Sequence, residues 1–303
     1  MWRLCSEHSS REALVDEIGT GDDRRCRNKR TAKEDWERGR IMRKIGINLY
    51  TRNEMEMEDY VRIISDLGFD TVFSGVKAPE EMDETAGLLS RVGITYDTLH
   101  APFGHINDMW FAGDDGDAMY AELTDCVDAC ARVGAPIAVI HLSSGNQAPP
   151  PTDIGRGRFI DLVDYAAGKG IKIAFENQRK LANLAWAFEE FAQAQNVGFC
   201  WDCGHEACFT NGRQYMPLFG DRLICTHIHD NNGVFNEDLH RIPFDASLNF
   251  DRITTQIRES GYKGALMLEV MGYKPYYDNI SGEEFLIRAA KAVKRLREMV
   301  DGK

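Results

Sequence analysis

The sequence predicts one α/β domain, a (β/α)8 (TIM) barrel, preceded by a polar extension. Three observations lead there. From residue 44 onward, short β-rich apolar runs alternate with longer amphipathic runs, eight such strand–helix pairs fit along the chain, and a glycine repeatedly closes a helix just before the next strand. The strand-like runs are residues 44–50, 71–74, 94–100, 136–142, 171–176, 197–202, 223–229 and 265–270, each short and apolar, as a strand covered on both faces of a parallel sheet requires. Between them, residues 57–67, 81–92, 117–133, 158–169, 181–195, a short piece near 205–211, 249–260 and 282–299 have helical spacing of apolar positions. Gly68, Gly93, Gly134, Gly170 and Gly261 fall where a helix ends in the left-handed conformation, which costs nothing without a Cβ. This alternation makes a parallel sheet, and eight strands close it into a barrel of ordinary size. An open doubly wound sheet is the alternative. No G-x-G-x-x-G follows the first strand, so a dinucleotide site has no support.

The 303 residues are 43% hydrophobic and 28% charged, which suffices for a large core. The formal net charge of −12 disfavours nonspecific binding to nucleic acid or an anionic membrane, because phosphate affinity comes from clustered Lys and Arg. No apolar run approaches the roughly 18 residues of a membrane span. Residues 1–41 carry ten basic and nine acidic side chains and no sustained period, and read as a solvated, poorly ordered extension; the barrel is assigned to 42–303. The N-terminus lacks an apolar stretch of signal-peptide length, and the eight cysteines are scattered, which suits reduced thiols in the cytoplasm. Cys200 and Cys203 match C-x-x-C, but no second pair follows at zinc-ribbon spacing.

Function is indicated by what ends the strands. His100 ends the third run, His141 the fourth, Glu176 the fifth and Asp202 the sixth, with His205 three residues on; His227 and His229 end the seventh, and Glu269 the eighth. The C-terminal strand ends of such a barrel form one rim, where its active sites lie, so these side chains converge on one volume. Cys225, His227 and His229 share a strand face, as do Ala265, Met267 and Glu269. A lone buried histidine is usually a core residue and a lone strand-end glutamate usually an ion-pair partner, but six strand ends behaving alike need another reason. Carboxylates crowded together raise one another's pKa unless a cation intervenes. Two glutamates, an aspartate and a histidine suit Mn2+, Co2+, Mg2+ or Zn2+.

Over roughly residues 44–299 the chain resembles the xylose isomerase-like barrel superfamily, which includes sugar (phosphate) isomerases and epimerases and the endonuclease IV group. The resemblance implies a metal held by Glu176, Asp202, His227 and Glu269. It implies a sugar or sugar phosphate isomerase or epimerase that abstracts a proton to give an enediolate, with Glu176 and Glu269 as the proton-transfer pair. An H-x-x-[DE] step, here His227 and Asp230, selects His227 over His229, which stays open as the alternative ligand. The D-x-x-H pair Asp202 and His205 matches a substrate-hydroxyl contact at His205; His229 would bind hydroxyls too, and His100, His141 and Asn177 would shape the pocket. Trp201, Trp110 and Phe103 are candidate stacking surfaces for a small carbohydrate.

Endonuclease IV binds three zinc ions with nine ligands, and each has a counterpart: His100, His141, Glu176, Asp202, His205, His227, Asp238, His240 and Glu269. Asp238 and His240 reproduce its D-x-H step and are candidate extra metal or substrate contacts. Sugar-isomerase relatives follow that step with a Pro and a Gly-rich turn, whereas Pro243 here is followed by no glycines. A multi-zinc phosphodiesterase also needs a basic surface, and residues 101–117 hold no Lys or Arg. A lyase or dehydratase on an inositol-like or glycosidic substrate would begin with the same proton abstraction. A non-enzymatic binding protein would need no paired acid and base. The loop at 101–116 is long enough for a lid, and 149–151 reads as a stiff structural segment. Arg156, Arg179, Lys180 and Arg241 could serve a phosphate or be solvated surface groups. A homo-oligomer is compatible with the sequence; a membrane or nucleic-acid partner is not expected.

Overall fold

Strands form where the apolar runs lie: β1 (Ile45–Asn48), β2 (Thr71–Gly75), β3 (Thr95–His100), β4 (Ile137–His141), β5 (Lys172–Glu176), β6 (Val197–Asp202), β7 (Leu223–His227) and β8 (Leu266–Leu268). The computed structural model describes residues 42–50, 55–272 and 276–302. The polar extension expected at 1–41 lies outside the described residues. The strands pair in parallel in the order β7-β6-β5-β4-β3-β2-β1-β8. Beyond the end of β7, Ile228 N donates to Met267 O at 2.8 Å and Glu269 N donates to Ile228 O at 3.1 Å, which joins the two outer strands. The fold is a (β/α)8 barrel.

The helices that cover it are α1 (Met57–Asp66), α2 (Pro79–Val92), α3 (Asp114–Val133), α4 (Asp153–Gly168), α5 (Leu181–Glu190), α6 (Cys203–Phe209), α7 (Met216–Phe219), α8 (Phe250–Glu259) and α9 (Gly282–Asp301). In α8 the buried residues are Phe250, Ile253, Thr254 and Ile257, one helix face that packs inward. Gly93 and Gly134 end α2 and α3 at φ of 77° and 76°. Thr152 and Ser281 cap α4 and α9 through side-chain oxygens, a contribution of about 1 kcal/mol each. Inside the barrel, Ile137, Val139, Ala174, Cys200 and Cys225 form a separate apolar layer beneath the rim. None of the described helices is long and apolar enough to cross a membrane.

Three local expectations change. Strand β7 stops at His227, because the chain then turns so that Asp230 pairs antiparallel with Arg241. Strand β8 stops at Leu268, which leaves Glu269 as the first residue beyond it. The loop after β3 is fastened rather than free. Its 3-10 turn, Ile106–Trp110, buries Trp110, whose Nε1 donates to Leu142 O at 2.7 Å; Asn107 exchanges two 2.9 Å bonds with Ser144; and Arg158 donates to the carbonyls of Asp108, Met109 and Phe111. Phe103 remains half exposed.

Candidate active site

Parallel register brings the strand ends side by side: His141 pairs with Glu176, and Asp202 with His227. Glu176, fully buried, is the hub. Its Oε2 lies 3.1 Å from His100 Nε2 and 3.0 Å from His141 Nε2, and its Oε1 lies 3.0 Å from His205 Nδ1 and 3.5 Å from His227 Nδ1. His227 Nδ1 is also 3.2 Å from Glu269 Oε2. Asp202 both caps α6, accepting from His205 N at 2.6 Å, and meets His229 Nε2 at 3.1 Å through the same Oδ1. Asp238 Oδ2 joins His205 Nε2 at 3.1 Å and His240 Nε2 at 3.0 Å.

Glu176, Asp202, His227 and Glu269 each present a ligand atom within 4.8 Å of the other three. Glu176 Oε1, Asp202 Oδ2, both ring nitrogens of His227 and Glu269 Oε2 are buried without a hydrogen bond. Each such atom costs roughly 1–3 kcal/mol if left so. A divalent cation accepting one lone pair from each residue relieves four of these five atoms, so the donor set fits the metal that the strand ends predict. Four triads among the described residues meet the same 4.8 Å spacing, and two of them gather the further candidate ligands, His100 with His141 and Glu176, and His205 with Asp238 and His240. His229 falls in a different group, with His240 and Glu269.

Charge is distributed accordingly. Burial opposes ionisation of Glu176, but His141, His227 and His100 outweigh it and hold the carboxyl well below the usual range. Glu269 is likewise depressed, by His227 and His240 against its burial. Burial would neutralise His227 and His205, yet Glu269 and Glu176 raise the first, and Asp202, Asp238 and Glu176 raise the second. His240 is pushed up to about 9, with Glu269 and Asp238 overcoming burial. His141 goes the other way, lowered because burial exceeds the pull of Glu176.

A cavity of about 860 Å3 opens above this cluster. His100, His141, His205, Asp238, His240 and Glu269 border it. Glu176, Asp202 and His227 lie behind that wall, with Glu176 in contact with three of its histidines. Phe103 and Arg179 also border the cavity, but Trp110 and Trp201 do not: both are core residues, with indole N–H groups donating to Leu142 O and Glu206 Oε2. Asn177 spends its amide on the backbone of Asp202, accepting from its N and donating to its O at 2.8 Å each, and so ties β5 to β6 rather than facing the cavity. His229 is buried, stacked 4.1 Å from His240. Asp230 accepts from Ala246 N and Leu248 N, a loop-closing role. Arg156 pairs with Glu190, Lys180 donates to Ala148 O, and Arg241 lies over Tyr276.

Gln178 is the residue that sequence reasoning missed. Its amide nitrogen lies 3.1 Å from His141 Nε2 and 3.0 Å from His205 Nδ1, at the cavity wall. The only signal was its place two residues after Glu176, the first side chain on the same strand parity.

A family profile described as xylose isomerase-like TIM barrel matches residues 61–299. The chain belongs to this family. The chain is 27% identical over 267 residues to the uncharacterized protein y4fM of Sinorhizobium fredii, covering 76% of this chain and 83% of that one. An inosose isomerase of Halalkalibacterium halodurans is 28% identical over 142 residues, 43% of this chain and 49% of the relative. Among solved structures, a D-psicose 3-epimerase from Clostridium cellulolyticum with D-tagatose superposes with a TM-score of 0.68 at 15% identity, over 85% of this chain and 99% of that chain. At that identity the likeness is one of fold.

Proposed function

We propose that this barrel is a cytoplasmic, divalent-metal-dependent sugar isomerase or epimerase. The observation that carries the reading is the quartet Glu176, Asp202, His227 and Glu269, whose buried ligand atoms converge without a hydrogen bond, Glu269 at the wall of a cavity large enough for a carbohydrate and the other three behind it. Mn2+, Co2+, Mg2+ or Zn2+ held by these four would supply a Lewis acid that acidifies the C–H beside a sugar carbonyl. Glu269 is the proton-transfer group, because it is the quartet member that borders the cavity, and its depressed pKa keeps it ionised. Removing the proton leaves an enediolate. Returning it to the neighbouring carbon on the same face, while the hydroxyl proton passes from the one oxygen to the other, completes an isomerisation with one base. Inverting a centre needs a second acid on the opposite face, and Glu176 stands behind His100, His141 and His205. The geometry therefore favours isomerisation, the reaction named for the relative from Halalkalibacterium halodurans. His205, His240 and Gln178 line the wall that would orient the hydroxyls. The test is incubation of metal-loaded protein with ketoses and aldoses deuterated beside the carbonyl. Deuterium carried to the adjacent carbon supports one-base isomerisation; an inverted centre labelled from solvent supports epimerisation; no C–H exchange with any sugar overturns both.

The two further triads favour a second reading, a three-metal phosphodiester hydrolase of the endonuclease IV kind. Metal analysis separates the two: about one ion per chain supports the isomerase, whereas three zinc ions with cleavage of abasic-site DNA support the hydrolase.

A further inference from the structure

A second cavity, of about 780 Å3, adjoins the first. Arg179 and Phe209 line both, so the two meet where the Arg179 guanidinium stacks 3.6 Å from the Phe209 ring centroid. Each cavity alone lies in the range of about 300–1,000 Å3 usual for a whole ligand site. The apolar lining of the second is Leu181, Ala182 and Ala185 on the first turns of α5, with Phe209 and Phe235. Its charged lining is Arg179, Lys180 and Arg213, and no carboxylate lines it. None of these three cations makes a salt bridge among the described residues, whereas Arg132, Arg156, Arg158 and Arg252 each hold a carboxylate. In a chain of net charge −12, three such cations on one cavity reverse the local sign.

The two cavities are also close along the chain. Arg179 and Lys180 follow Glu176 by three and four residues, so their Cα atoms lie within about 14 Å of the metal hub at full extension. A guanidinium binds phosphate and carboxylate alike through paired N–H donors.

We propose that the substrate is a sugar bearing an anionic substituent, phosphate or carboxylate. Its reacting carbons lie at Glu269 in the first cavity, and its anion lies in the second, against Arg213, Lys180 and Arg179. This rests on the sugar reading above. Arg213 is exposed and lines the second cavity but not the first, so changing it tests that cavity without disturbing the core.

The test uses the metal-loaded full chain and three matched ketoses: neutral, with a terminal phosphate ester, and with a terminal carboxylate. C–H turnover is followed by NMR. One anionic member should exceed the neutral sugar in kcat/KM by about tenfold or more, the scale of one charge-assisted hydrogen bond. Arg213→Glu should bring that ratio to about one, and Arg213→Gln should give an intermediate value. Because a ratio is read, a partly unfolded variant would lower both substrates and leave it intact. The better of the two anions identifies the substituent. Equal kcat/KM for neutral and anionic sugars, or a ratio that survives Arg213→Glu, overturns the proposal. Should no sugar turn over, the sugar reading fails by itself, and calorimetric titration with inorganic phosphate judges the cavity. Binding about tenfold weaker in Arg213→Glu supports an anion site there, and equal binding overturns it.

Discussion

His227 Nδ1 stands between two carboxylates, 3.2 Å from Glu269 Oε2 and 3.5 Å from Glu176 Oε1. A proton on that ring and a divalent cation neutralise the same charges, so they compete. Metal uptake should therefore release protons, and affinity should fall as pH falls. Calorimetric titration in buffers of differing ionisation enthalpy counts the protons; a count of zero at neutral pH would remove His227 from the ligand set.

The metal-free chain should show a matching stability profile. His240 has a folded pKa of about 9, above the roughly 6.5 of a free imidazole. Its pairing with Asp238 and Glu269 is then fully stabilising below about pH 6.5 and is lost as pH rises through about 9. Glu176, Glu269 and Asp238 are depressed, so their share is present above about pH 4 and is lost as pH falls further. Thermal unfolding with chelator should give its highest Tm between about pH 5 and 6.5. Added Mn2+ should raise Tm more on the alkaline side, where the imidazolium contribution is gone; an equal rise at both ends would contradict the account.

The two glutamates should fail differently. Glu269→Gln keeps a neutral oxygen at the cavity wall and should lower turnover by roughly 10²–10⁴ while metal is retained. Glu176→Gln removes the charge that four histidines face, so metal content after gel filtration should drop first. Retention of metal by Glu176→Gln with turnover lost would instead make Glu176 the base.

Gln178 should matter without being a ligand. An amide offers either its oxygen or its NH2, and here it holds His141 and His205 in place. Gln178→Ala should cost about 10–100-fold in metal affinity or activity, as loss of such supporting bonds does. A competition assay with a chromophoric chelator measures it; full affinity and activity would show that the imidazoles are held by other contacts.

Gly204 is required by close approach. A Cβ there would lie 1.9 Å from His229 Cε1, on a helix whose start is pinned by Asp202. Gly204→Ala should destabilise by about 1–3 kcal/mol through overpacking. Gly157, on the exposed face of α4, has no atom within 4 Å of where a Cβ would stand, so Gly157→Ala should stabilise by about 0.5–1 kcal/mol. Urea midpoints of the two variants should move in opposite directions.

Much of this was legible in sequence. Strand ends such as His141 and Glu176 reach the same rim because parallel strands in a barrel all point one way, a consequence of topology alone. Helix ends at Gly93 and Gly134 were legible because a left-handed residue is a local demand. Asn177 and the tryptophans were not, since a polar or aromatic side chain beside a site looks the same in sequence whether it faces the cavity or the core.

The sequence by itself determined the periodicity, hence the barrel, and the set of acids and imidazoles on its rim, because strand parity and chain direction follow from local order. Only the tertiary structure decided which of them touch. Register shifts interrupt the pairing between Val72 and Phe73 and between Phe199 and Cys200, while β4, β5 and β6 around Glu176 stay largely in regular register, and how each strand end is turned is a property of the closed sheet and the loops packed on it. That rotation places Glu176 behind three histidines, leaves Glu269 at the cavity, turns the Asn177 amide onto the backbone of Asp202, and sets Arg179 between two cavities. Distances across the barrel depend on all eight strands at once, and no spacing along the chain encodes them.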